Sequence, residues 1–291
     1  MAKVFDCFTF FNEVELLEFR CKFLNDSVDY FVIAESNLTH SGKSKPYYFQ
    51  NAIERFQPWL HKIIYIPVEQ TTEGLLFKEE VMYNPKSAAW QLENNQRNAL
   101  LQAANKMDAN DVVLLSDLDE IPDPAAIQKV LSMRYPIAFS LLFHYYYLNG
   151  QNIGESRWWK GCIACTANQF IEITPQGLRN KRDAYPSVSK GGWHFSFLGG
   201  VQMIQQKIKA FAHTEFNKDE FVNEQQINEA LSKGTDLLKR EGVIFKFVPL
   251  SYYPVKLQKV MKQYPALLHI KTSNPFLNLY YTIRRIVKGN Y

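Results

Sequence analysis

The sequence predicts an α/β protein whose mostly parallel sheet is flanked by helices. Short apolar runs suited to strands buried on both faces recur at residues 30–34, 62–68 and 112–115. Helical patterns separate them, giving the β-α-β order that parallel strands with right-handed crossovers require. Consecutive runs also end in polar residues, so functional groups collect along one edge of the sheet, as in a Rossmann-like crevice.

Residues 3–11 alternate strand-forming side chains and read as the first strand, ending at Asn12 and Glu13. Asn12 is a candidate helix N-cap, and Val14, Leu16, Leu17, Arg20, Phe23 and Leu24 follow at near-helical spacing as an apolar face. The second strand, 30–34, runs into Glu35, Ser36, Asn37 and Thr39. The loop HSGKSKPYYF then brings three basic residues that either meet a phosphate or stay solvated. A helix over 52–59, a third strand over 62–68 and a polar loop over 69–85 lead to a helix over 90–104. Arg97 on that helix either reaches a diphosphate or lies on an exposed face.

The stretch NDVVLLSDLDEIP, residues 110–122, is the centre of the reading. A buried strand ends here in Asp117, Asp119, Glu120 and Asp123, with prolines barring its continuation as a central strand. In extended backbone Asp117 and Asp119 point the same way, so they can share one Mg²⁺ or Mn²⁺ ion. The bland alternative is a solvated acidic turn, with Asp123 capping a helix over 125–131.

A long strand is expected over 137–148, then a loop holding Trp158, Trp159 and Lys160 and ending at Gly161. Adjacent tryptophans there are either core plugs or a surface for a sugar ring. A short strand over 170–173 and a basic loop over 179–182 follow. In KGGWHFSFLGG, residues 190–200, four glycines flank an aromatic strand, which demands bends or close backbone approaches. His194 within it is either a hydrogen-bonded core residue or a second metal ligand or phosphate contact. KIKAFAHTEF reads as a helix with a polar far end, carrying His213 and Glu215, that can hold a base.

The 46% apolar and 14% aromatic content supplies a sizeable core. A net charge of +4, spread along the chain, argues against nucleic acid as a partner and permits an anionic substrate. The N-terminal run has too many charges for a signal peptide, and no run of about 18 apolar residues occurs, so a cytoplasmic protein is expected. Cys7, Cys21, Cys162 and Cys165 are expected as buried thiols, the last two without partners to complete a metal site.

The runs DCFTFFNEVELLEFR, ESNLTHSGKSKP, LLSDLDEIP, GGWHFSFLGG and KIKAFAHTEF, in this order, resemble glycosyltransferase family 17. The resemblance spans residues 4–240 and implies a GT-A fold, a nucleotide-sugar donor, UDP-GlcNAc first, and inversion at the transferred carbon. Residue chemistry and resemblance agree on Mn²⁺ or Mg²⁺ on Asp119, helped by Asp117, while the residues alone offer His194 as a further ligand and Glu120, Asp183, Glu215 and Asp219 as candidate bases, Glu215 favoured. Glu35 and Asn37 would read the donor's base or ribose, with Arg97 and Trp193 as further donor contacts. The acceptor would be a glycan or glycolipid. Residues 1–248 form the expected transferase domain and 249–291 a helical extension, whose NPFLNLYYTIRRIVKGNY end either lies on an anionic membrane or docks on the core or a partner. Two other classes use the same features: a metal-dependent nucleotidyltransferase or phosphodiesterase, and a silent carbohydrate-binding protein.

Overall fold

The computed structural model describes residues 2–132, 136–269 and 283. The first strands form where the apolar runs lie: β1 (Val4–Phe10), β2 (Tyr30–Ser36), β3 (Ile63–Val68) and β4 (Val112–Asp117). They pair in parallel in the order β3-β2-β1-β4, that of the first half of a doubly wound sheet. Both faces are buried, as expected. Val112 and Leu114 join one core cluster and Val113 and Leu115 the other.

The second half is mixed. β8 (Trp158–Thr166) runs antiparallel to β4, and β6 (Ile137–Tyr145) antiparallel to β8 and so in the direction of β4. β9 (Ser187–Ser196) lies parallel to β6 and antiparallel to the short β5 (Glu120–Pro122). β7 (Gly150–Asn152) and β10 (Phe245–Phe247) close the far edge. The carboxyl ends of β1, β2, β4, β6 and β9 therefore share one edge. The paired glycines act as expected at β9: at Gly192 (φ +141°) a Cβ would lie 2.2 Å from the Ile121 carbonyl oxygen.

Several elements differ from expectation. Trp158, Trp159 and Lys160 begin strand β8 instead of a loop. Residues 170–173 belong to the helix Ala167–Ile173, because Thr166 and Gln169 form a reciprocal capping box that starts a helix there. The basic stretch at 179–182 is the end of the helix Pro175–Asn180 and a 3₁₀ turn. The first helix, Val14–Leu24, is preceded by Glu13 at its N-cap, not Asn12, with no side-chain cap. Asp123 does cap the helix Pro124–Val130, accepting from Ala125 N–H at 2.7 Å. The helix expected over KIKAFAHTEF stops at Ala210, the end of Gly200–Ala210.

Cys162 and Cys165 are buried thiols in opposite core clusters, so they cannot share an ion. Residues 250–267 pack into the main core, Tyr264 lying edge-on to Phe19 at 5.7 Å. The C-terminal run expected to meet a membrane or partner lies outside the described residues apart from Ile283. Among the described residues no helix is long and apolar enough to cross a membrane.

His144 on β6 is fully buried between the Leu142 carbonyl and the Tyr253 hydroxyl, each at 2.9 Å. Burial pushes its pKa down to about 3. The unfolded chain therefore takes up the proton first, and stability is lost as pH falls from the unfolded value near 6.5 toward 3. Urea denaturation should show about 2 kcal/mol less stability at about pH 5 than at neutral pH from this residue. His144→Gln should flatten that slope.

Candidate active site

A cleft of about 790 Å³ opens along the shared carboxyl edge, within the size range of small-molecule sites. Thr9 and Phe10 of β1, Asp117 of β4, Phe143 of β6 and His194 of β9 line it.

Its floor is the acidic turn, and Arg20 builds that turn. Arg20 is fully buried, holds both oxygens of Asp6 at 2.8 and 2.6 Å, and reaches Ser116 Oγ at 2.7 Å. Its Nη1 donates to the carbonyls of Asp117, Leu118 and Glu120 at 3.0, 2.8 and 3.0 Å. Carbonyls that a tight turn would leave buried and unpaired thus have donors.

The three carboxylates of the turn are each paired, two of them through the same arginine. Asp117 accepts from Arg97 at 3.0 Å on one oxygen and from Arg179 at 2.6 Å on the other. Asp119 faces Lys207 Nζ at 2.8 Å and His194 Nε2 at 3.4 Å. Glu120 is fully buried and accepts from Trp159 Nε1 at 2.6 Å, Arg179 at 2.8 Å and the Asp117 N–H at 3.0 Å. Gly161 makes room for it, since a Cβ there would stand 2.8 Å from the Glu120 carboxyl carbon.

Burial alone would raise the pKa of both aspartates. Arg179 and Arg97 nevertheless hold Asp117, and Lys207 and His194 hold Asp119, well below the usual carboxylate range. Burial would lower Lys207, but Asp119 and Glu13 push it up. Asp117 and Asp119 therefore stay ionised through neutral pH.

The structure brings Asp117, Asp119, Arg97, Asp183, His194 and Glu215 to one cleft. Several expected roles are not open to the residues named for them. Glu35 is 0% exposed and its oxygens accept from Lys45, Tyr65 Oη and the Tyr48 and Phe49 N–H groups, leaving nothing for a ribose. Asn37 exchanges two hydrogen bonds with the Gln70 backbone. Trp193 is a core residue, packed on Phe23 and Phe195. Arg97 is buried and committed to Asp117 and Glu93 rather than open to a diphosphate. As bases, Glu120 is enclosed and fully engaged, Asp183 is 79% exposed at the rim, and Asp219 is exposed outside the cleft lining. Glu215 is buried and accepts from His213 Nδ1 at 2.7 Å.

Among the described residues no group of three or more His, Cys, Asp and Glu side chains is arranged to hold a metal ion. Asp117 does not fit the expected ion, because guanidinium groups occupy both its oxygens. Asp119 and His194 do fit one whose remaining positions are filled by diphosphate and water. Their 3.4 Å separation is near the roughly 3 Å between neighbouring ligands of an octahedral Mg²⁺. His194 Nδ1 is buried without a hydrogen-bond partner, and its ring is held by stacking on Phe143 at 5.1 Å.

Arg20, Arg179 and Lys207 are the cations that sequence reasoning left unassigned. Arg20 had a signal: a charged residue inside an otherwise apolar helical stripe is buried only if something pairs with it.

The comparisons with known proteins place this chain among the glycosyltransferases. The model of "Glycosyltransferase family 17" matches residues 1–276, and the chain belongs to that family. It is similar to the beta-1,4-mannosyl-glycoprotein 4-beta-N-acetylglucosaminyltransferases of Homo sapiens and Rattus norvegicus, 28% identical to each over 117 residues. The match takes in 38% of this chain and only 20% of the length of each relative. Among solved structures, the inositol-1-phosphate CTP transferase from T. maritima aligns over 67% of this chain and 86% of that one. With 10% identity and a TM-score of 0.33, that likeness defines no common fold.

Proposed function

We propose that the chain is an inverting, GT-A-type transferase that moves N-acetylglucosamine from UDP-GlcNAc onto a hydroxyl of a glycan or glycolipid acceptor. The observation that carries this reading is the ionised Asp119 beside His194 and Lys207, at the floor of a cleft on the carboxyl edge of a parallel half-sheet. Mn²⁺ or Mg²⁺ held by Asp119 and His194 would screen the donor diphosphate. Lys207 is anchored by Asp119 at 2.8 Å and Glu13 at 3.4 Å, and its ammonium keeps a third donor for a phosphate oxygen. Arg97 and Arg179 hold Asp117 in place, and so fix the turn that carries Asp119. Such fixed charges favour departure of the nucleoside diphosphate because they need no rearrangement as negative charge builds.

Incubation with a panel of UDP-sugars and Mn²⁺ tests this reading. Release of UDP, greatest from UDP-GlcNAc, supports transfer, whereas UMP or pyrophosphate would replace it with nucleotidyl or phosphodiester chemistry. UDP at about 100 times its Kd should stabilise the fold by roughly 2.7 kcal/mol in a thermal shift with Mn²⁺ present.

A further inference from the structure

Every inverting displacement needs a group to take the acceptor's proton, and most cleft-lining candidates are already engaged. Glu120, enclosed beneath the cleft lining, accepts from three donors. Glu93 is bound to Arg97 and lies 3.5 Å from His40, whose other nitrogen meets Gln96. Glu13 lies against Lys207 and accepts from the Asn12 N–H. Asp183 meets only Arg182, at 3.8 Å, but its side chain is 79% exposed.

His213 differs. Its Nδ1 meets Glu215 Oε1 at 2.7 Å, so the proton between them resides on Nδ1 and the lone pair of Nε2 is turned outward. Among the described residues Nε2 has no partner, and the side chain is 43% exposed at the cleft. Tyr83, Trp90, Phe211 and Phe216 surround the ring, with centroids 5.0 to 6.1 Å away, which restricts its orientation. Glu215 behind it is buried.

A second observation brings a polar ligand to the same place. Trp90 Nε1 and Asn94 Oδ1, one turn apart on the helix Ala88–Asn98, both line the cleft and are buried without hydrogen-bond partners. An unpaired donor and an unpaired acceptor on this cleft-lining helix, the donor on a tryptophan whose ring packs on His213 at 5.0 Å, suit the hydroxyl groups of a sugar.

Building on the proposed transfer reaction, we infer that His213 is its general base, that Glu215 is the positioning residue behind it, and that the acceptor sugar enters along Trp90 and Asn94. The acceptor hydroxyl passes its proton to His213 Nε2 as its oxygen bonds to the anomeric carbon. The bond from that carbon to the diphosphate oxygen breaks, and its electron pair leaves with UDP. The imidazolium that remains is stabilised by Glu215 and returns its proton to water.

The test measures UDP release from UDP-GlcNAc, with mannosyl oligosaccharides or water as acceptor, beside UDP binding by thermal shift. His213→Ala should lower kcat by about 10²–10⁴-fold while keeping the UDP-induced shift, and added imidazole should restore part of the rate. Glu215→Gln should lower kcat by roughly 10–100-fold with donor KM unchanged and no rescue by imidazole. If His213→Ala fails to fold, His213→Gln carries the same comparison. A His213 variant with the wild-type rate, or one whose loss follows lost UDP binding, overturns the base assignment alone. A wild-type protein that releases no UDP from any UDP-sugar overturns the transferase reading, and the base assignment with it.

Discussion

Replacing Arg20 by methionine should cost about 3–5 kcal/mol of stability, measured as the change in urea midpoint at constant slope. Arg20 and Asp6 are both 0% exposed, so removing the guanidinium leaves a carboxylate buried with no countercharge. It also strips the donor from three turn carbonyls and from Ser116 Oγ. The double variant Arg20→Met with Asp6→Leu should recover much of the loss, because it removes the stranded charge as well. A single-variant loss under about 1 kcal/mol would show that the buried pair does not hold the turn. Turnover should fall alongside stability, since the carbonyls of Asp117, Leu118 and Glu120 set the path of the backbone that presents Asp119.

Asp119→Ala and Asp117→Ala should part company although the two residues are separated by one leucine. Asp119→Ala should lower UDP release from UDP-GlcNAc by about 10³-fold with the fold intact. Lys207 keeps Glu13 as a partner and is 23% exposed, so little stability is lost. Asp117→Ala should instead act first on stability, by roughly 2–4 kcal/mol, because it removes an anion shared by the buried Arg97 guanidinium and the half-buried Arg179. Kinetics and urea denaturation on both variants check this contrast. An Asp119→Ala protein that turns over donor at the wild-type rate would remove Asp119 from the site.

The parallel half of the sheet was legible because its strands are buried on both faces, which leaves uninterrupted apolar runs such as VVLL at 112–115. The acidic strand end was legible for the same reason. Strand β8 was not: Trp-Trp-Lys-Gly reads as a loop until Glu120 is found pressed against Gly161. Residues 170–173 are strand-like in composition, yet the Thr166–Gln169 capping box decides for a helix. The spacing of Asp117 and Asp119 invited a shared ion, but it could not reveal Arg179, which is 62 residues further along and holds Asp117 and Glu120 together. Pairings over such separations are set by how the layers stack, which local patterns do not encode. His213 and Glu215 stood in the sequence as a polar helix end. Both line the cleft, and which of them keeps an unengaged atom for a ligand is set by a hydrogen bond that only the fold displays.

The ion pair between Lys207 and Asp119 also bears on the order in which the protein matures. As the chain leaves the ribosome, both aspartates of the turn emerge long before the lysine that neutralises one of them. Until the helix Gly200–Ala210 docks, Asp119 lacks the ammonium group that offsets its charge, although Asp117 and Glu120 already have Arg97 and Arg179. Under the proposed reaction, a translation product stopped short of that helix should bind the anionic donor more weakly than the full chain, because it lacks Lys207.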